Sequence, residues 1–78
     1  MLEKKYHKQV RAKANIILSR DDDIHIITKF RELDERYRES VMDGDCAGLS
    51  LEYYLSREAY RMAAHDRGYT DDVLEERK

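Results

Sequence analysis

The sequence predicts an all-α fold: a small antiparallel three-helix bundle with a short C-terminal tail helix, forming a single helical domain over residues 1–78. Three observations carry this expectation. There is no proline, and the three glycines (Gly44, Gly48 and Gly68) fall where helical periodicity runs out. Apolar residues recur at three- and four-residue intervals over three long segments, the spacing of one helical face. No segment alternates apolar and polar positions long enough for a strand; Ile24-His25-Ile26 begins to, and Ile27 breaks it.

The first helix is expected from about Leu2 to Ser19. At about 100° per residue, Leu2, Tyr6, Val10, Ala14 and Ile17 fall on one side, with Lys4, Lys8, Arg11 and Asn15 opposite. Asp21-Asp22-Asp23 then provides an N-cap and first-turn acids for the second helix, the placement that a helix dipole favours. That helix is expected from about Asp22 to Asp43. Ile26, Phe30, Leu33, Tyr37 and Val41 form its apolar seam, while Glu32, Glu35, Glu39 and Asp43 line the far side among Lys29 and Arg36. Gly44 and Gly48 end it.

The third helix is expected from an N-cap at Ser50 to Asp66, with Leu51, Leu55, Ala59, Met62 and Ala63 as its main apolar face. Gly68 is a natural left-handed stop, and Tyr69 beside it can pack back on the last turn. Thr70 caps a tail helix from Asp71 to Arg77, acids first and bases last.

Composition bounds the function. Only 19 of the 78 residues are strongly apolar (Val, Ile, Leu, Met, Phe), against 41% charged. A chain this short buries about 60% of its unfolded surface, so a second copy or a partner is a ready source of stability. The lone Cys46 implies no internal disulfide. The lysines near the N-terminus lead into no apolar run of the secretory kind, and no stretch is apolar enough to span a bilayer; a cytoplasmic location is expected. The net charge is −2, yet residues 1–20 carry six Lys/Arg against Glu3 alone, whereas residues 21–45 carry nine Asp/Glu against four Lys/Arg. Nucleic acid could therefore be engaged only by the first segment.

Motifs with chemistry are few. Asp43, Asp45 and Gly48 match the opening of a calcium-binding EF-hand loop, but Ala47 stands at the fifth place and Tyr54 at the twelfth, where a bidentate Glu is required. His7, His25 and His65 lack the i+3 or i+4 partners of a zinc or di-iron site. The pair Arg61 and His65 resembles the constellation of certain all-helical ribonucleases, whose motif places the two residues further apart; here only three residues intervene, and Met62 stands where a polar residue is usual. With no nucleophile–base pair and no phosphate loop, the expectation is no enzyme, no metal and no cofactor.

Two surfaces remain. Lys4, Lys8 and Arg11, with Lys5 and Lys13 near, oppose the helix dipole and so hint at an anionic contact. Tyr53, Arg57, Tyr60 and Ala64 form a second stripe on the third helix, expected to face outward as a partner-binding surface, since Tyr and Arg are enriched at interface centres. The sequence thus predicts a non-enzymatic protein-binding module, a small regulator, adaptor or inhibitor acting as a homodimer. The alternative is a nucleic-acid binder using the basic first helix. The charged, tyrosine-rich, proline-free composition resembles that of small bacterial and phage accessory proteins.

Overall fold

The computed structural model describes residues 4–44 and 49–75, of which 88% are helical and none is in a strand. The helices are α1 (Lys4–Arg20), α2 (Asp23–Met42), α3 (Leu49–Asp66) and α4 (Asp71–Glu75). Their ends follow from local chemistry. Asp22 caps α2: its extended backbone stops α1 from continuing, its carboxylate accepts from the His25 N–H at 2.8 Å, and its carbonyl accepts from Ile26 N–H. Gly44, at φ +93°, closes α2 by donating to the Val41 carbonyl. At the end of α3, Gly68 adopts φ +94°; Tyr69 N–H donates to Ala64 and Gly68 N–H to His65, the paired bonds of a Schellman stop. The expected Ser50 cap is corrected: α3 is already helical at Leu49, within the one- or two-residue margin that cap preferences leave at a boundary.

α3 is the middle of the fold. α2 and α1 both pack on it far more than on each other, and the molecule is a slab of 34 × 33 × 21 Å. Along the α2–α3 contact, Tyr37 meets Tyr54, Asp34 meets Arg57 and Phe30 meets Arg61, so each step up α2 is matched by a step down α3. That is antiparallel register. On the other side, Lys13 reaches Ser56, Arg11 reaches Asp66 and the Leu18 carbonyl accepts from Arg67, so α1 lies across α3.

The core joins Val10, Ala14 and Ile17 of α1, Ile26 and Phe30 of α2, Ala59, Ala63 and Ala64 of α3, and Leu74 of α4. The three alanines are fully buried: short side chains let helices on both sides come close to α3. The expected seam of α2 holds at Ile26 and Phe30, weakens at half-buried Leu33 and Tyr37, and fails at exposed Val41. Leu51, expected in the core, is 43% exposed. Both corrections have one cause: the α1 side chains that reach α3 do so from Ser56 onward, so the end where α2 leads to α3 is left uncovered.

Polar clamps complete the packing. Arg67 donates to the carbonyls of Leu18 (2.8 Å) and Asp21 (3.2 Å) and to the carboxylate of Asp23, while Tyr69 donates to Asp23 at 2.9 Å. The end of α3 is thereby tied to the α1–α2 junction. Arg31 of α2 donates to the carbonyls of Val73 (2.8 Å) and Leu74 (3.2 Å), filling acceptors that the short α4 leaves open at its end.

Candidate functional site

Because α1 and α2 flank α3 without closing over it, a cleft of about 370 Å³ remains between them, within the range of small-ligand and side-chain pockets. Ile17, Leu33, Ala59 and Tyr60 contribute apolar surface, and Ile16 stands beside them at 56% exposed. Three cations complete the lining: Lys13 and Arg20 from α1, and Lys29 from α2. No carboxylate is among the described lining residues. Lys13 reaches the Ser56 hydroxyl, at 3.4 Å; Arg20 meets its sequence neighbour Asp21 at 3.2 Å and also the Tyr60 hydroxyl; Lys29 meets Glu32 at 3.5 Å on the same helix. Burial raises the pKa of the Tyr60 hydroxyl, and the Asp21 carboxylate adds to this, while Arg20 and Lys29 pull the other way. Tyr60 is therefore a neutral hydroxyl at neutral pH, able to donate or accept within the cleft.

A second cluster lies inside the α2–α3 contact. Asp34, with a side chain only 5% exposed, is held by Arg57 at 2.8 Å and Arg38 at 3.2 Å. The Arg57 guanidinium lies over the rings of Tyr37 (4.7 Å) and Tyr54 (5.1 Å), a cation–π arrangement that steadies the charge from two helices. Next along α3, Arg61 sits over Phe30 at 5.4 Å and meets Glu58 at 3.3 Å. These charges are matched to one another, and the cluster acts as a polar key that sets the α2–α3 register.

The stripe expected on α3 is not one outward surface. Ala64 is fully buried, Arg57 is committed to Asp34, and Tyr53 and Tyr60 are half-buried. The reason is that α3 is packed on two sides: Arg57 lies in the α2–α3 contact and Ala64 in the core. Only Tyr60 reaches the cleft. On α1, Lys4, Lys8 and Arg11 are exposed as expected, with Arg11 paired to Asp66 at 2.7 Å. Arg61 and His65 do share a face and a shallow cavity with His7, but Arg61 is spent on Glu58, Asp71 and Glu75, and His65 meets Asp71 at 2.8 Å. Cys46 and the centre of the EF-hand-like segment lie outside the described residues. Among the described residues no His, Cys, Asp and Glu gather in metal-binding geometry, and no helix is long and apolar enough to cross a membrane.

Sequence reasoning missed the cleft. Part of its signal was present, since Lys13, Ile16, Ile17 and Arg20 follow helical spacing on one side of α1. Lys29 belongs to another helix, and no sequence pattern links it to them. Compared with known proteins, the chain matches no family model, no curated protein and no solved structure.

Proposed function

We propose that this chain is a non-enzymatic protein-binding module, a small helical regulator, adaptor or inhibitor, which receives a helix of its partner in the cleft between α1 and α2. The cleft is the observation that carries the reading. An open apolar trough between two helices, floored by a third, suits the helix-in-groove mode of recognition, in which side chains at i, i+3, i+4 and i+7 enter the groove. Ile16 is the clearest contact candidate: a large apolar side chain left more than half exposed beside that trough.

A photo-crosslinking side chain placed at Ile16, with the same group at Glu35 on the outer face of α2 as control, tests this in the native host. Position 16 is expected to trap a protein that position 35 does not. Ile16→Glu should then weaken binding of that purified protein by about tenfold or more. If both positions trap the same background, the cleft is not the contact surface.

A second copy of the chain is a further proposed partner, supported by Val41, Met42 and Leu51, which are exposed together where α2 leads to α3; Met42 is 85% exposed. Sedimentation of wild type beside Met42→Glu tests it, with the variant expected to be the smaller species. The nucleic-acid reading through Lys4, Lys8 and Arg11 has weaker support, because Arg11 already spends its charge on Asp66.

A further inference from the structure

Resting on the protein-binding reading above, we infer the chemistry of the partner: the cleft takes an acidic amphipathic helix. Its apolar stripe would lie against Ile16, Leu33 and Tyr60, with Asp or Glu residues on both flanks meeting Lys13, Arg20 and Lys29.

The cleft's cations are held less firmly than the arginines of the main helix contacts. Arg57, Arg61 and Arg67 are bound into contacts between helices. By contrast, Lys13 meets a neutral hydroxyl of α3, Arg20 its neighbour Asp21 and the neutral Tyr60 hydroxyl, and Lys29 a carboxylate one turn away on its own helix. Neither Lys13 nor Arg20 is paired with a carboxylate of another helix, and Lys29–Glu32 is a partly exposed pair of the kind that contributes little, so an incoming carboxylate can compete for all three. Two acids stand near: Asp21, whose charge is felt at Tyr60 against the pull of Arg20 and Lys29, and Glu32, which Lys29 shares with Arg36 at 3.6 Å. Neither lines the cleft, so the cations are what an incoming helix meets there.

The placement of the cations selects a helix over a single anionic headgroup. Lys13 and Arg20 are seven residues apart on α1, about 10.5 Å along its axis, and Lys29 stands on the opposite wall. A fatty acid or lipid phosphate would need its cations gathered at one end. A helix lying along α1 meets them with acids at i and i+7 on one flank and a further acid on the other. The apolar trough between takes its leucines or isoleucines.

The test uses two peptides of about 18 residues, long enough to hold a helix, that share one leucine stripe and carry either Glu or Lys on the flanks. Binding to the full chain is followed by fluorescence anisotropy at low and high salt. The Glu peptide is expected to bind roughly tenfold more tightly than the Lys peptide at low salt, with the difference shrinking as salt screens it. The triple variant Lys13→Glu, Arg20→Glu, Lys29→Glu should reverse the preference. If that variant does not fold, Lys13→Glu alone should reduce it. Equal binding of the two peptides, preference for the Lys peptide, or binding of oleate or anionic vesicles in place of either peptide would overturn the inference. Ile16→Glu separates the two failures. If it weakens both peptides equally, the cleft is the docking site and only the charge preference is wrong; if it weakens neither, the protein-binding reading of the cleft falls as well.

Discussion

Replacing Asp34 with alanine should bring the protein to the edge of unfolding. The carboxylate is 5% exposed and the Arg57 side chain 13%, at 2.8 Å separation, so the substitution leaves a guanidinium between α2 and α3 without its closest counter-charge. Removing one partner of a buried pair costs about 3–5 kcal/mol. Arg57 keeps the rings of Tyr37 and Tyr54 and a carboxylate of Glu58 at 3.6 Å, which places the expected loss near the lower bound. Arg38, whose side chain is 58% exposed, turns to water with a loss under about 1 kcal/mol. A cost of about 3 kcal/mol falls on a core that, at this chain length, rarely supplies more than about 3–5 kcal/mol. Urea denaturation followed by far-UV circular dichroism measures the change. The companion double variant Asp34→Leu with Arg57→Met replaces the pair with apolar groups, and should recover most of the loss. A single-variant cost under about 1 kcal/mol, or losses for Asp34→Ala and Arg57→Ala that simply add in the double variant, would refute the assignment of this pair as the register key.

Gly68→Ala should destabilise by about 1–2 kcal/mol through backbone strain alone, since φ is +94° and an added Cβ meets no atom within 4 Å; a thermal melt unchanged from wild type would contradict the Schellman stop. The hydrogen bond from Tyr69 to Asp23 raises the tyrosine's pKa, with burial and the Asp23 charge adding to it. The fold thus favours the neutral hydroxyl. Its contribution is complete below the unfolded value of about 10 and is lost as pH rises through the higher folded value. Stability should therefore fall in alkali, with a shallower fall for Tyr69→Phe in pH-resolved denaturation; Tyr60, raised mainly by burial, contributes in the same direction. Ala63→Leu inserts bulk where α3 is fully buried, and should cost about 1–3 kcal/mol by denaturant titration.

Helix ends and the heart of the core were legible because their causes are local. Asp22, Gly44 and Gly68 act on their own backbone neighbours, and Ile26 and Phe30 stand on a face that periodicity alone defines. The position of α3 was not legible. Ala59 and Ala63 stand on the expected apolar face, but Ala64 falls on the stripe expected outside, and alanine is too weakly apolar to mark the three as the place where two helices converge. Asp34 reads as one more acid on a charged helix; what buries it is Arg57, 23 positions away. Arg57 of the tyrosine–arginine stripe has the character of an interface residue because it is one, in the contact within the chain between α2 and α3. The cleft needs Lys29 brought beside α1, a consequence of packing that neither helix encodes alone.

The seating of α1 has a kinetic consequence. α1 is held by α3 and by Arg67 at its end while barely touching α2, so it can lift away and leave the α2–α3 pair in register. Native-state hydrogen exchange should accordingly find a cooperative unit made of α1, opening at lower free energy than α2 and α3. The cleft exists only while α1 is seated, since Lys13, Ile16, Ile17 and Arg20 form one of its walls. A ligand there draws on the closed population alone and slows the release of α1 amide protons in proportion to 1 + [L]/Kd. Occupancy and the closing of the first helix are one equilibrium, so the exchange rate of α1 amides gives a label-free measure of binding.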